Sequence, residues 1–541
     1  MTQHRVHSIL ALSIALTFAQ GAQAQSQTAN PATLQSQEQR TERYYQQREA
    51  QVPAAVVDPV QAPDAPQATP AGASDVRFTL REVRFGESAF LDAAAMQAVA
   101  QPYVGREIGI ADLNAMTDGV NALYAARGIT TARAVLGRQA INDGVVLVEL
   151  VEGRLGAMTV HGNAQTNTDF VRSRVRQREG DVVDSNALRR DLVWFNRTTD
   201  LQARALLRPG AERGSTDVLL ELTEPPRRYV DVFVDNAGVD STGRERIGVQ
   251  AMLNGLAGAS DRLSASLAYA EGGLEGQAAY SRIVTRRNAR LGVSASRSQI
   301  NIINGAFRDL DIEGESTVYG LDFVQPLKAT PQWLANGLAT LSRGDSETSV
   351  GGRRIADTTS TVFSVGASLA HDVPGRQWVL TQIVSSIDAD EPVSGKDRFN
   401  IAVGNALVLQ RFGESAWGLR GSAGWQFSTD DALPASNLFQ IGGLGSVRGY
   451  ERGVLSGPRG YFVDLELHRS IGTQWDTYAF VDHGAVRGDG VTSDGITGVG
   501  LGAAWRRNWL SASFDIGHPL DDVIADQDST RIDFRITARW Q

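Results

Sequence analysis

The sequence predicts a mainly β protein, in which a 16-stranded transmembrane β-barrel follows two small α/β modules and an N-terminal helix with a proline-rich linker. Three observations support this prediction. Residues 227–541 are a series of alternating segments separated by turn residues, residues 76–226 contain one order of elements twice, and residues 53–75 are rich in proline. Strict alternation favours strands with one apolar and one polar face.

Composition excludes several functions. With 52 Lys and Arg against 61 Asp and Glu, the net charge is −9, which argues against a nucleic-acid partner. The absence of Cys excludes disulfides and thiol catalysis. The seven His residues lack metal-ligand spacing, and neither a G-x-S-x-G nor a GxxxxGK[ST] motif occurs. We therefore expect no enzyme activity, no catalytic residue, no metal site and no cofactor.

The first 75 residues predict a signal peptide, a helix and a linker. Residues 1–24 contain Arg5, an apolar run and Ala22-Gln23-Ala24, an order typical of a cleaved secretory signal. Residues 25–52 predict a helix that is polar on every side, which is either solvated or lies in a wet cavity. Residues 53–75 contain five prolines and predict an extended tether. The alternative is a disordered N-terminal tail.

Two modules follow, at residues 76–154 and 155–226. Each has the order β-α-α-β-β, so the unit is an internal repeat. A sheet of this size has open edges, to which an extended peptide can add itself as a further strand. The modules are therefore interpreted as peptide-docking units, with simple spacers as the alternative.

Residues 227–541 predict the barrel. In the last segment Ile532, Phe534 and Ile536 alternate with charged residues, as a strand between lipid and water requires. Sixteen such segments occur, and their connections alternate between short turns and long loops. This alternation is typical of outer-membrane barrels, and sixteen strands enclose a lumen wide enough for water.

One connection, residues 428–458, is much longer than the others and is expected to lack regular structure. It contains a motif made of Gly442, Gly443, Val447, Arg448, Gly449 and Tyr450. Downstream, alternation turns Phe480, Asp482 and Gly484 towards the lumen. Arg448 and Asp482 either form a charge-assisted pair or are two separately solvated lumen charges.

These features together resemble the two-partner secretion transporters, the TpsB class of the haemolysin secretion and activation type. The specific elements are Val447-Arg448-Gly449-Tyr450 preceded by Gly442-Gly443, and the downstream F-x-D-x-G motif at residues 480–484. The resemblance covers essentially the whole mature chain, and the two modules resemble POTRA domains. The chain departs from the family pattern at its end, where Trp540 is penultimate rather than last.

The resemblance implies a transporter in the outer membrane of a Gram-negative bacterium, with its POTRA modules in the periplasm. These would bind the N-terminal secretion domain of one large exoprotein in extended form, and the barrel would secrete it without nucleotide hydrolysis. The long loop would fold into the lumen, with Arg448 held by Asp482 on the inner wall, and the N-terminal helix would plug the pore at rest. Other implied partners are outer-membrane lipid and the barrel-assembly machinery, and the protein would be a monomer.

Two alternatives remain. A barrel-assembly factor of the same superfamily shares the loop motif but resembles chains with three or more POTRA modules, whereas residues 77–226 hold two. A passive solute channel accounts for the barrel but not for the modules or the long glycine-rich loop.

Overall fold

The structure is a computed structural model that describes residues 42, 44–45, 58–61 and 77–541, except 142, 213, 306, 394–395, 489–494 and 525–526. The predicted signal peptide, most of the polar helix and most of the linker lie outside the described residues. The chain forms two compact units. One holds both α/β modules, and the other holds the barrel with Glu42, Tyr44 and Tyr45.

The α/β unit contains nine strands and four α-helices within the described residues. The strands are β1 (Val60–Gln61), β2 (Phe78–Thr79), β3 (Glu82–Phe85), β4 (Glu107–Ile108), β5 (Ala132–Val135), β6 (Val145–Glu152), β7 (Arg154–His161), β8 (Gln202–Pro209) and β9 (Ser215–Thr223). The helices are α1 (Ala93–Ala100), α2 (Ile110–Ala126), α3 (Thr168–Arg172) and α4 (Ser185–Thr198). No helix in the described part of the chain is long and apolar enough to cross a membrane.

The first module is a three-stranded sheet in the order β3-β6-β5 covered by α1 and α2. Its helices bury residues at helical spacing, among them Leu113, Met116 and Val120. Tyr124 continues this stripe, and its hydroxyl donates to Glu152 at 2.8 Å. Burial is the main reason that the pKa of Tyr124 rises to about 12.

The second module repeats this order and gains one strand. Its sheet runs β1-β8-β9-β7, because Val60 and Gln61 pair in parallel with Ala205 and Leu206 on β8. The sequence predicts an extended tether over residues 53–75, and Val60 and Gln61 within it are paired as a short strand. The β8 edge presents unpaired backbone groups until a further strand covers them, which explains the docking.

The barrel comprises sixteen strands among the described residues, and it closes because β10 pairs with β27. This confirms the predicted strand number. The strands are β10 (Arg228–Asp235), β11 (Arg246–Asn254), β12 (Arg262–Ala270), β13 (Gly273–Ile283), β14 (Arg290–Asn301), β15 (Ile312–Ala329), β16 (Trp333–Val350), β17 (Arg353–Val373), β18 (Arg376–Val393), β19 (Lys396–Arg411), β20 (Trp417–Ser428), β23 (Arg459–Ile471), β24 (Trp475–Arg487), β25 (Gly495–Arg507), β26 (Leu510–Pro519) and β27 (Arg531–Trp540).

The long connection between β20 and β23 contains regular structure, contrary to the sequence expectation. β21 (Phe439–Ile441) pairs antiparallel with β22 (Leu455–Gly457) as a short hairpin. The expectation was wrong because strands of three residues are too short to show alternation. Phe439, Ile441, Val447 and Tyr450 of this loop are buried in one apolar cluster with wall residues that include Val486. The loop is therefore packed against the barrel wall.

Candidate functional site in the barrel lumen

Arg448, at the tip of the long loop, is bound to Asp482 on β24. Its Nε and Nη2 donate to the two carboxylate oxygens of Asp482, each at 2.7 Å. The backbone N–H of Arg448 donates to the same carboxylate at 3.0 Å. The Arg448 side chain is 1% exposed and that of Asp482 is fully buried. The structure thus brings the predicted pair together in the bidentate geometry that makes charge-assisted hydrogen bonds strong.

Three further carboxylates surround the Arg448 guanidinium. Its Nη1 lies 2.6 Å from Glu466 and 3.3 Å from Asp515, and its Nη2 lies 3.1 Å from Asp464. We call Arg448 and the carboxylates of Asp464, Glu466, Asp482 and Asp515 the arginine cage. Sequence reasoning named only Asp482 among these acids.

The sequence pattern around the other three acids nevertheless indicates that they face the lumen. On β23, Asp464 and Glu466 alternate with Val463, Leu465 and Leu467, and those three apolar residues are exposed on the outer face. Asp515 alternates in the same way between exposed Phe514 and Ile516 on β26. Alternation therefore places all three acids on the lumen side.

Glycines on the wall let the backbone of the loop tip approach closely. A Cβ atom on Gly498 would lie 2.0 Å from the Arg448 carbonyl oxygen, and one on Gly517 would lie 2.6 Å from the Gly449 nitrogen. A Cβ on Gly484 would lie 3.1 Å from Val447. Gly484 of the predicted wall motif thus leaves space for Val447.

The remaining motif residues shape the loop itself. Gly442, Gly443 and Gly449 have φ angles of 109°, 82° and 92°, in the left-handed region that favours glycine. The Tyr450 hydroxyl donates to the Thr497 carbonyl at 2.8 Å, and its ring is buried. The Phe480 ring lies under the Arg448 guanidinium, with its centroid 3.6 Å from Cζ. This distance is typical of a cation–π contact.

The N-terminal segment reaches the arginine cage. The Tyr44 hydroxyl lies 3.4 Å from Arg448 Nη1 and 3.5 Å from both carboxylate oxygens of Asp515. Tyr44 and Tyr45 are buried against Ala237 and Leu444. The described residues of the predicted polar helix thus lie inside the barrel.

The site offers anchoring rather than proton transfer. His483 follows Asp482 directly but is exposed on the other face of β24, as alternation predicted. No group of residues that could hold a metal ion occurs in the described part of the chain. The hydrogen bonds of the arginine cage connect the loop tip to the wall.

Solved structures share this fold. The structure of CdiB from Escherichia coli superimposes with a TM-score of 0.66 at 21% sequence identity, covering 96% of this chain and 99% of that one. A likeness at this identity supports the architecture alone.

Sequence relatives extend the comparison. The outer membrane transporter CdiB of Dickeya dadantii strain 3937 is 26% identical over 539 residues, which cover 92% of this chain and 93% of the relative. The heme/hemopexin transporter protein HuxB of Haemophilus influenzae is 22% identical and covers 68% of each chain.

Residues 78–153 match the POTRA domain of ShlB type. Residues 214–505, more than half of the chain, match the family described as haemolysin secretion/activation protein ShlB/FhaC/HecB. The chain therefore belongs to this family, and it is a TpsB-type two-partner secretion transporter of the Gram-negative outer membrane, not an enzyme.

Proposed function

We propose that this transporter secretes one large exoprotein, which its POTRA modules recognise in the periplasm and which crosses the barrel in extended form without nucleotide hydrolysis. The observation that carries the proposal is the arginine cage. It anchors a loop of the chain inside a lumen that sixteen strands would otherwise leave wide enough for water. An anchored loop closes a passage that a transported chain must use.

Recognition is proposed to occur by strand addition to the POTRA sheets. The docked β1 strand supports this, because the Ala205 N–H on the β8 edge donates to the Pro59 carbonyl at 2.7 Å. Backbone pairing of this kind accepts extended segments of varied sequence. The exoprotein's N-terminal secretion domain is the proposed ligand.

The loop tip and the N-terminal helix are proposed to leave their resting positions during transport. Breaking a buried ionic network by separating one partner costs about 3–5 kcal/mol. Binding of the exoprotein would supply this free energy. Folding of the exoprotein at the cell surface would make transport directional. The contact between loop and wall would then have a movable side and a fixed side. The movable side is the loop motif, made of Gly442, Gly443, Val447, Arg448, Gly449 and Tyr450. The fixed side is the wall motif, made of Phe480, Asp482 and Gly484.

The proposed division of labour follows the predicted domains. Residues 1–24 direct export, 25–52 plug the pore, 53–75 tether the plug, 76–154 and 155–226 bind the exoprotein, and 227–541 form the pore. We propose further that the protein acts as a monomer in outer-membrane lipid, where the barrel-assembly machinery inserts it.

The test compares secreted and outer-membrane proteomes of the source bacterium with and without this gene. We expect the loss of a single large exoprotein, with other barrels unchanged. A general fall in many outer-membrane barrels would instead favour the assembly factor. If neither set changed, the solute channel would be the better explanation.

A further inference from the structure

A second buried charge cluster lies at the seam where the first and last barrel strands meet. Asp235 on β10 accepts hydrogen bonds from Arg246 of β11 at 2.7 and 2.8 Å. It also accepts one from Arg535 of β27 at 2.8 Å. The three side chains are between 0% and 8% exposed. One carboxylate of the wall is thus shared between two arginines.

A further carboxylate that these arginines contact comes from the N-terminal segment. Arg535 donates to both oxygens of Glu42, at 3.0 and 2.5 Å. Gln250 donates to Glu42 at 3.1 Å, and Arg246 Nη2 lies 3.6 Å from it. Glu42 therefore occupies a site built from a bidentate guanidinium, an amide donor and a second guanidinium.

Wall residues contact the Arg535 guanidinium in addition to Glu42. The Phe233 ring centroid lies 4.1 Å from its Cζ, and Asp235 binds it from the wall. The Tyr45 ring covers it at 3.6 Å and belongs, like Glu42, to the N-terminal segment. The wall and the N-terminal segment thus both contact the arginine.

Departure of the N-terminal helix would remove the Glu42 carboxylate from this charge cluster. Within this cluster, Asp235 and Glu42 form ion pairs with Arg246 and Arg535, and Glu275 and Arg452 also interact electrostatically with these groups. Without Glu42 the Arg535 guanidinium would lose its bidentate partner, and it would still present a fork geometry suited to another carboxylate. The site borders a lumen cavity of about 1090 Å³ that Gln250, Phe233 and Arg535 help to line. A polypeptide in the lumen would therefore reach it.

We propose that Arg535, Arg246 and Gln250 form a carboxylate-binding site on the lumen wall, which Glu42 occupies at rest and which acidic side chains of the transported polypeptide occupy once the helix has left. The proposal rests on the proposed export function and specifies a chemical preference of its pore. Glu42 is the resting occupant, and a passing Asp or Glu is its competitor.

The test uses the purified full-length protein in planar lipid bilayers, with hexaglutamate added as the probe and hexaglutamine as the uncharged control peptide. Glu42→Gln keeps the shape of the occupant but removes its charge, so the channel should open more often than in the wild type. Hexaglutamate should then block the current through Glu42→Gln. The concentration that blocks half of this current should be roughly tenfold lower than the concentration needed for Glu42→Gln/Arg535→Gln. Tenfold is the factor expected for the loss of one hydrogen bond to a charged group. Glu347→Gln, which alters an exposed pair with Arg354, is the matched single-charge control.

Since Arg535→Gln also loosens the barrel seam, Glu42→Gln/Gln250→Met provides a second comparison that leaves both arginines in place. It should weaken the block by hexaglutamate in the same direction. Equal block of all three variants, or equal block by hexaglutamine, would overturn the carboxylate site. That result would leave the export function standing, because the proteome comparison tests export independently.

Discussion

At the scale of single residues, Arg448 is a buried cation surrounded by several carboxylates. Four carboxylates lie within 3.3 Å of its guanidinium, and its side chain is 1% exposed. A buried cation of this kind is stable only when its partners are in place, and buried Asp482 in turn depends on the cation. The position of the loop and the charge balance of the wall are therefore coupled through one side chain.

Replacing Arg448 with Ala should abolish export while leaving the barrel folded. The variant leaves Asp482 buried without the guanidinium that binds it, which should weaken the anchoring of the loop by about 3–5 kcal/mol. Export should stop because the loop would no longer hold the defined resting position from which the exoprotein displaces it. Secretion and limited proteolysis of the loop measure the two effects. Arg354→Ala, which breaks an exposed ion pair with Glu347, is the control and should leave both unchanged. Wild-type secretion by Arg448→Ala would contradict the role assigned to this residue.

Gly498→Ala should displace the loop tip without changing any charge. Its new Cβ would lie 2.0 Å from the Arg448 carbonyl oxygen, so the loop backbone must move away from the wall. We expect faster proteolysis of the loop, at an unchanged barrel melting temperature. Gly292→Ala is the matched control, since its Cβ would meet neighbours no closer than 3.5 Å. Equal protection of the loop in the two variants would show that close backbone approach is unimportant.

The sequence supported the Arg448–Asp482 pair as one of two interpretations but did not identify the rest of the arginine cage. Alternation places Asp464 and Asp515 in the lumen, as it does Asp482. Which of these acids meets the loop depends on the register of β23, β24 and β26 around the closed barrel. Register depends on contacts between distant residues, so no local sequence pattern contains it. The contact between Tyr44 and Arg448 joins residues still farther apart in the sequence.

At the scale of elements, the docking of β1 on β8 depends on Asp58. Its carboxylate accepts hydrogen bonds from the Val60 N–H and from Arg189 Nε, each at 3.0 Å. Burial alone would raise the pKa of Asp58, but the hydrogen bonds from Arg189 and Val60 outweigh burial and hold it below its ordinary value of 3.8. The charged form of Asp58 is thus favoured when the strand is docked.

Asp58→Asn should loosen β1 from the second module at neutral pH. Since docking lowers the pKa of Asp58, its contribution is complete above the ordinary value of 3.8 and is lost as the pH falls through the lowered pKa. Hydrogen exchange of the Ala205 amide, which donates to Pro59, measures the docking. Faster exchange is expected in Asp58→Asn and unchanged exchange in Asp169→Asn, which alters an exposed acid of the same module. Unchanged exchange in both variants would show that Asp58 does not hold the strand.

The elements themselves were predictable to different degrees. The long barrel strands and the two repeated modules follow from alternation and helical spacing, which are strong over ten or more residues. The β21–β22 hairpin and the docked β1 strand could not be predicted from the sequence. Strands of two or three residues show no periodicity, and their pairing partners lie far away in sequence.

At the scale of the whole molecule, the barrel closes, and parts of the chain itself occupy its lumen. The long loop is fixed to the wall by Arg448, and the N-terminal segment is fixed at two points, Tyr44 in the arginine cage and Glu42 at the strand seam. The strand number was predictable because each strand is a segment of period-2 alternation bounded by turn residues. The position of the N-terminal segment was not, because a polar helix indicates a wet environment without specifying which one.

The most direct test locks the loop tip to the wall by a disulfide in this cysteine-free chain. A Cβ on Gly484 would lie 3.1 Å from a terminal carbon of Val447, so Val447→Cys with Gly484→Cys suits a bridge. The oxidising periplasm would form the bond, and a reductant would open it. We predict that the oxidised transporter secretes no exoprotein and that the reduced one does. Equal secretion in both states would contradict the central claim that the anchored loop must release for export.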